Sequence, residues 1–194
     1  MSLPRSLSRL RRRKYHCRCR KAACWFVYYV RTFGKVSGLT DQIAKCGCAS
    51  VVIKVLTQPI VSASCYCADC RSAAQIMEAM PNAPRLREAD DGTRVQLFRK
   101  DRVDVFQGEH LLREFRLKPD SPTCRVVASC CNSPMFLDFT SGFWVSIYEQ
   151  RIVQPSSIPA RIYKAHSPRF LSKLMLTWAT MGFRALKLRK YPAL

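Results

Sequence analysis

The sequence contains few acidic residues, few histidines and few glycines. Only 13 of its 194 residues are Asp or Glu, against 33 Lys and Arg, and there are 3 histidines and 7 glycines. So few glycines, together with 11 prolines, exclude a collagen-like or low-complexity chain. Hydrophobic residues make up 48% of the chain, which is close to the globular average and sufficient for a buried core. The composition therefore predicts one folded domain with additional segments.

The first 37 residues lack acidic side chains altogether. Asp41 is the first carboxylate, and 11 basic residues precede it, including Arg11-Arg12-Arg13-Lys14. We predict that residues 1–37 are a basic N-terminal extension that is disordered, or an artefact of the start site with Val36 as an alternative start. A run of arginines can neutralise phosphates, so nucleic acid is a possible partner of this extension. A solvated basic tail is the alternative.

No apolar run is long enough to span a membrane, because a transmembrane helix needs about 20 apolar residues. The longest run of the extension, residues 22–30, is followed by Arg31-Thr32-Phe33-Gly34 rather than by the small residues of a secretory cleavage site. We therefore expect no transmembrane segment and no secretory signal, and we predict a cytoplasmic location.

Residues 38–150 are predicted to form a mainly β domain. Short runs rich in β-branched residues alternate with turn residues, which predicts strands at residues 49–56, 61–64, 95–99, 103–107, 112–117, 124–128 and 135–139. Residues 67–80 contain no Gly or Pro and precede Pro81 and Pro84, so a short helix is predicted there. Residues 85–92 are predicted to be a polar loop.

Residues 151–194 are predicted to be a C-terminal extension with one amphipathic helix at about residues 168–183. Ser167 is a candidate N-cap, Pro168 suits the first turn and Gly182 lies near the end. Apolar side chains recur at helical spacing at Phe170, Leu171, Leu174, Met175, Trp178 and Met181. Such a stripe indicates docking on the domain. A basic amphipathic surface for a membrane or a partner is the alternative.

The 11 cysteines are the most unusual feature of the composition. Cys17, Cys19 and Cys24 lie in the N-terminal extension without a nearby set of partners. The other eight follow the order C-G-C, C-Y-C-A-D-C, a lone cysteine and C-C-N-S-P, at Cys46, Cys48, Cys65, Cys67, Cys70, Cys124, Cys130 and Cys131. Closely spaced cysteines on a turn can supply two or three thiolates to one zinc ion. The lone Cys124 is explained as a buried, unreactive cysteine. A disulfide framework is the alternative for the whole set.

Two metal sites follow from this spacing. Cys46 and Cys48 supply half of one closed site, and its other half is expected from Cys130 and Cys131. Cys65, Cys67 and Cys70 supply three thiolates to a second site. Three protein ligands leave one tetrahedral position open, which is the feature of catalytic rather than structural zinc, unless a fourth ligand closes it.

This order of cysteines resembles that of the glutathione-dependent formaldehyde-activating enzymes, a family that also includes centromere-protein-V-like proteins. The resemblance covers about residues 43–139, and Arg71 stands where the family commonly has a basic residue. It implies a small zinc-stapled fold called a β-tent and two zinc ions. It also implies a structural role for Cys46, Cys48 and Cys131 and a catalytic role for Cys65, Cys67 and Cys70.

The sequence departs from the family pattern at the late motif, which is usually C-x-x-C-G. Ala128 and Asn132 replace the first cysteine and the glycine of that motif. Either Cys130 or Cys124 could supply the missing structural ligand. Asn132 can adopt the left-handed backbone conformation that the glycine would supply. The extension beyond residue 139 is also absent from the simplest members, so the sequence indicates a divergent member.

Two functions remain open. The resemblance implies a carbon-sulfur lyase that adds glutathione, or a similar small thiol, to formaldehyde or another small aldehyde, with Asp69, Arg71 or Glu78 as candidate contacts of glutathione. The alternative is a zinc-stapled binding module without turnover, whose basic surface contacts an acidic partner such as nucleic acid. Only His110 and His166 lie beyond the N-terminal extension, and neither belongs to a motif, so no histidine base is predicted.

Overall fold

The computed structural model describes residues 42–153 and 162–194. The predicted N-terminal extension, with its basic run and its three cysteines, lies outside this range. The described part is mainly β, as predicted, with ten strands and two helices. In chain order these elements are β1 Gln42–Lys45, β2 Val52–Val55, β3 Val61–Cys65, α1 Ala68–Glu78, β4 Thr93–Arg99, β5 Val103–Gln107, β6 Leu112–Phe115, β7 Thr123–Ala128, β8 Ser133–Phe139, β9 Trp144–Tyr148, β10 Ile162–Lys164 and α2 Pro168–Thr180.

The strands form two sheets. A three-stranded antiparallel sheet has the order β1-β2-β5, and a seven-stranded sheet has the order β10-β3-β4-β9-β8-β7-β6. All neighbours in the larger sheet are antiparallel except β10, which runs parallel to β3. The seven strands predicted from the sequence are present, although their ends differ by a few residues, whereas β1, β9 and β10 were not predicted.

The seven-stranded sheet buries apolar side chains on both faces, because successive side chains of a strand point to opposite sides. One face contributes Phe98, Phe136 and Ile147 to a core shared with Ile53 and Val55 of the smaller sheet. The other face contributes a second set to a core shared with the two helices, including Val61, Ala63, Val95, Leu97 and Tyr148. The larger sheet is therefore a middle layer, and the helices and the smaller sheet lie on its two sides.

Helix α1 buries Ala73, Ala74 and Met77 against the sheet and ends just before Pro81, as its sequence predicted. Helix α2 begins as predicted at Ser167, whose hydroxyl accepts a hydrogen bond of 3.4 Å from the backbone N–H of Phe170. Phe170 and Leu174 are the buried residues of α2. The predicted docking of this helix on the domain is therefore confirmed. No helix within the described ranges is long and apolar enough to cross a membrane.

The chain after α2 returns to the free edge of the larger sheet at β6. The backbone N–H of Glu114 donates to the carbonyl of Pro192 at 2.7 Å, and the N–H of Leu194 donates to the carbonyl of Glu114 at 2.9 Å. The Glu114 carboxylate also accepts from the N–H of Tyr191. These bonds cover an edge that would otherwise expose unpaired backbone groups.

Lys100 is a buried cation whose side chain is only 1% exposed. Its ammonium lies 2.7 Å from Asp138 Oδ1 and donates to the carbonyl of Phe139 at 2.9 Å. Removing one partner of a buried ion pair leaves an uncompensated charge, at a cost of about 3–5 kcal/mol. We therefore expect Asp138→Ala to lower the free energy of unfolding by about 3 kcal/mol or more in urea titrations.

The exposed pair Arg99–Asp101 provides the control, since its side chains are 31% and 37% exposed. Exposed pairs contribute about 0–1 kcal/mol, so Asp101→Ala should shift the urea midpoint only slightly. If Asp138→Ala and Asp101→Ala lowered the free energy of unfolding equally, burial of Lys100 would not determine how much its ion pair contributes to stability.

Glu78 joins the end of α1 to the loop that follows. Its carboxylate accepts from the backbone N–H groups of Leu86 and Arg87 at 2.8 and 2.7 Å, and it pairs with the Arg87 guanidinium at 2.9 Å. Burial by itself would raise the pKa of Glu78, but these donors hold the pKa below its ordinary value of 4.5. Since the folded pKa is lowered, the stabilisation is present above pH 4.5 and is lost as the pH falls through the folded value.

We therefore expect Glu78→Gln to destabilise the protein at pH 7 and to reduce the loss of stability between pH 5 and pH 3. Thermal unfolding at a series of pH values measures both effects. If the melting temperature of the variant fell with pH below pH 5 as steeply as that of the unchanged protein, Glu78 would not be the source of the acid sensitivity.

Candidate metal centres

The first centre lies where two turns meet. Cys46 and Cys48 lie in the turn between β1 and β2, and Cys130 and Cys131 lie in the turn between β7 and β8. All four sulfurs lie within 4.8 Å of one another. The Sγ separations are 3.5 Å for Cys46–Cys48, 3.3 Å for Cys48–Cys130, and 3.8 Å for both Cys46–Cys130 and Cys130–Cys131.

These separations suit a metal ion at the centre of the four sulfurs. A tetrahedral site with metal–sulfur bonds of about 2.3 Å has sulfur–sulfur edges of about 3.8 Å. Four thiolate donors are also the set that a structural zinc ion prefers. The cluster could therefore hold a metal ion without large movement of either turn.

The backbone shapes each turn for this role. In the first, the N–H of Ala49 donates to the Cys46 carbonyl at 3.0 Å, and Ala49 has a φ of +60°. In the second, Asn132 has a φ of +50°, which confirms the predicted left-handed conformation. Gly47 brings the turns together, since its N–H donates to the Ser133 hydroxyl at 2.9 Å and a Cβ at Gly47 would lie only 3.1 Å from that oxygen.

Of the two candidates for the fourth ligand, the structure brings Cys130 to the cluster and leaves Cys124 elsewhere. Cys124 is 2% exposed within the core between the sheets. Burial raises the pKa of its thiol to about 12, so this cysteine is an inert core residue. In residues 42–153 and 162–194 no cysteine forms a disulfide, in contrast to the alternative framework considered for the sequence.

The electrostatics of the four-cysteine cluster differ between its members. The Ser50 hydroxyl, 3.3 Å from Cys48 Sγ, lowers the pKa of Cys48 to about 6, and the neighbouring cysteines assist it. Burial raises the pKa of Cys46, although the N–H of Val51 donates to its sulfur at 3.3 Å. The Arg151 guanidinium adds positive charge beside Cys46 and Cys131, and burial lowers its own pKa.

The second centre lies at the junction of β3 and α1. Cys65 is the last residue of β3, Cys67 precedes α1, and Cys70 lies in the first turn of that helix. The sulfurs of Cys65 and Cys67 are 3.4 Å apart, and all three lie within 4.8 Å of one another. The positive end of a helix dipole favours thiolates at this position. The structure thus brings the predicted triplet together as a three-sulfur cluster.

Hydrogen bonding within the triplet shifts the pKa values of Cys65 and Cys70 in opposite directions. A hydrogen bond from the Cys70 thiol is the largest of the effects that lower the pKa of Cys65 to about 5, and His166 contributes at longer range. The same bond, together with burial, raises the pKa of Cys70. These two shifts favour the thiolate form of Cys65 over that of Cys70. A bound metal ion would displace the remaining protons, because thiolates are the metal ligands.

A cavity of about 440 Å³ opens beside the triplet, and all three of its sulfur-bearing residues line the wall. Apolar residues form most of the remaining lining, with a few polar groups, among them Thr93, Arg125, Tyr148 and His166. A cavity that is mostly apolar with a small number of polar groups is the usual form of a small-molecule site. The four-cysteine cluster, by contrast, does not line this cavity.

Sequence reasoning did not identify Arg125, Tyr148 and His166 as site residues. Arg125 is 2% exposed, donates to the Asp69 carbonyl at 3.3 Å, and takes part in none of the ion pairs within the described ranges. Burial raises the pKa of Tyr148, and the positive charge of Arg125 opposes this. An arginine within a β-branched strand was the available signal for Arg125. His166 follows β10, and no local pattern in the sequence links it to Cys65.

Of the three residues predicted as contacts of glutathione, only Asp69 lines the cavity. Arg71 is exposed on α1. Glu78 is committed to Arg87 and to the backbone of the following loop, so it is not available to a ligand.

Comparison with known proteins does not extend these observations: no protein-family model matches the chain, and no curated protein sequence matches it. The family resemblance therefore depends on the cysteine spacing and on the two clusters that this spacing forms.

We expect Cys130→Ser to weaken metal binding at the four-cysteine cluster enough for a weak chelator to remove about one equivalent, because the variant loses one of the four thiolates that close the site. The matched control is Cys124→Ser, which should leave the metal content unchanged. Elemental analysis after dialysis against a weak chelator measures both. Loss of metal from the Cys124 variant alone would reverse the assignment of the fourth ligand.

Proposed function

We propose that both clusters bind zinc and that the protein is a carbon-sulfur lyase of the formaldehyde-activating type. In this proposal the four-cysteine cluster is structural, and the three-cysteine cluster is the catalytic site. The observation that carries the proposal is the position of the triplet in the wall of a 440 Å³ cavity, with three sulfurs where a closed site would have four. An open position beside a cavity is where a substrate thiol or carbonyl could bind.

When bound, zinc supplies Lewis-acid polarisation of a carbonyl and lowers the pKa of a coordinated thiol. The reaction joins a thiol and an aldehyde without an oxidant or a reductant. The S–H bond of the thiol breaks, its sulfur forms a bond to the carbonyl carbon, and the π electron pair of the carbonyl moves to oxygen. The same proton ends on that oxygen, so the product is an S-hydroxymethyl thioether when the aldehyde is formaldehyde.

The side chains of the cavity support this chemistry in three ways. Arg125 and the Tyr148 hydroxyl lie among the lining groups and can donate hydrogen bonds to the oxygen that becomes negative. His166 lies near Cys65 and can transfer the proton between sulfur and oxygen. The apolar remainder of the wall excludes water, which strengthens each of these interactions.

A cytoplasmic location and a small thiol or aldehyde as partner are part of the same proposal. Closely spaced thiols that are not joined as disulfides fit a reducing compartment. The triplet requires its sulfurs in the thiolate form, which oxidation would remove.

The experiment is to mix the zinc-loaded protein with formaldehyde and a thiol and to measure the rate of exchange between free and S-hydroxymethyl thiol by NMR. We expect the protein to accelerate this exchange and Cys67→Ser to remove at least 100-fold of the acceleration, because the variant loses one of three ligands. Cys124→Ser is the matched control and should retain the rate. A Cys67→Ser variant with the full rate, or no acceleration by the zinc-loaded protein, would overturn the proposal in favour of a binding module.

A further inference from the structure

The cavity beside the triplet has a polar end and an apolar end, and the strand register defines both. At one end Cys65 pairs with Thr93, and at the other end of β4 Arg99 pairs with Trp144. The seven residues from Thr93 to Arg99 are separated by six steps, which span about 20 Å of extended strand. Both Thr93 and Trp144 line the cavity, so the cavity follows the strands over this length.

The middle and far parts of the wall are mainly apolar. Leu97, Ser146 and Leu137 lie side by side across β4, β9 and β8, and each lines the cavity. Beyond them Phe139 and Trp144 stack with ring centroids 5.7 Å apart. Water binds weakly to such a surface, because covering it with another apolar group lowers the free energy.

Helix α2 supplies the opposite wall. Phe170, Leu171 and Leu174 all line the cavity from this helix, and Phe170 and Leu174 are buried there. Leu171 is 47% exposed, so it lies where the cavity meets solvent. The extension beyond the region of the family resemblance therefore builds an apolar face against the sheet.

Charged groups are concentrated toward the end that holds the cysteines: Arg125 pairs with Leu137 in the middle row, but its guanidinium reaches the Asp69 carbonyl. The charged or titratable side chains in the lining, other than the cysteines and Tyr148, are Asp69, Arg125 and His166. Asp69 lies in the first turn of α1, Arg125 donates to its carbonyl, and His166 acts on Cys65. Glutathione carries two carboxylates and one ammonium, and the apolar end offers these charges no partner. Burial of an unpaired charge is strongly unfavourable.

We propose that the thiol substrate of this site has an extended apolar body, alkyl or aryl, with its sulfur at the triplet and its body along the row from Leu97 and Leu137 to Trp144. This inference rests on the proposed function of the three-cysteine site and specifies its substrate class. A peptide thiol with charged ends, such as glutathione, is disfavoured by the same wall.

The test uses the full-length protein loaded with cobalt(II), which reports thiol binding through its thiolate-to-metal charge-transfer bands. The probes are 2-mercaptoethanol, butanethiol, hexanethiol and glutathione. Each buried methylene should tighten binding about fourfold. We expect the dissociation constant to fall progressively from butanethiol to hexanethiol, and glutathione to bind more weakly than either.

Leu171→Glu places a charge at the rim of the apolar wall, and Leu176→Glu places the same charge on the same helix at a residue that is 70% exposed and does not line the cavity. We expect Leu171→Glu to weaken hexanethiol binding at least tenfold with little effect on 2-mercaptoethanol. The Leu176→Glu control should leave both dissociation constants unchanged. Circular dichroism and thermal unfolding establish that each variant is folded.

The outcomes separate this inference from the proposed function. Glutathione binding more tightly than hexanethiol, or no gain in affinity with chain length, would overturn the substrate class and leave the open site intact. No spectral change with any thiol, in protein shown to hold two metal equivalents, would overturn both. Spectral changes that persist unchanged in Cys67→Ser would show that thiols bind at another site, which also overturns both.

Discussion

The convergence of four sulfurs from two distant turns joins the two sheets at the edge of the core that they share. Cys48 and Cys130 are 82 residues apart in sequence, yet their sulfurs lie 3.3 Å apart. One turn belongs to the three-stranded sheet and the other to the seven-stranded sheet. Closure of so long a loop has an entropic cost that a few thiol contacts do not offset. A metal ion bound only by the folded chain would offset it, because the free energy of binding becomes free energy of folding.

Lys100 and Arg125 are buried cations and Arg151 is partly buried, and the surroundings of the three differ. Lys100 pairs with the Asp138 carboxylate. Arg151 lies beside the thiols of the four-cysteine cluster, where thiolates raise its pKa against the effect of burial. Arg125 lies beside the three-cysteine cavity without a carboxylate partner in the described ranges. A metal ion with three thiolates would carry one net negative charge, which the Arg125 guanidinium could balance. Some of the basic residues therefore lie in the interior of the protein, and the excess of basic residues is not confined to its surface.

Much of this fold was predictable because its strands and helices have clear local patterns. Strands β2 and β7 are rich in β-branched residues, and α2 has both a capping serine and an apolar stripe. Strand β1 was missed because its four residues carry little pattern, and β10 because it pairs in parallel with β3 from about 100 residues away. Strand β9 has alternating apolar residues, so the sequence did contain a signal for it.

The candidate site was predictable only where neighbouring residues build it. The spacing of Cys65, Cys67 and Cys70 identified the triplet because one strand end and one helix start hold all three. The choice between Cys130 and Cys124 stayed open because it depends on which face of β7 Cys124 occupies and on the path of the turn that carries Cys130. Arg125 and His166 reach the triplet through sheet order, which no local pattern encodes.

The two departures from the family pattern have different physical consequences. The altered late motif keeps a four-sulfur cluster, because Cys130 reaches it and Asn132 adopts the backbone conformation that a glycine would supply. The C-terminal extension, in contrast, changes the surroundings of the triplet: its strand β10 places His166 near Cys65, and α2 adds Phe170 and Leu174 to the cavity wall. A difference of this kind alters what can lie beside the sulfurs while the sulfurs themselves are retained. We therefore expect the difference from the family that the cysteine spacing resembles to be found in the substrate rather than in the metal.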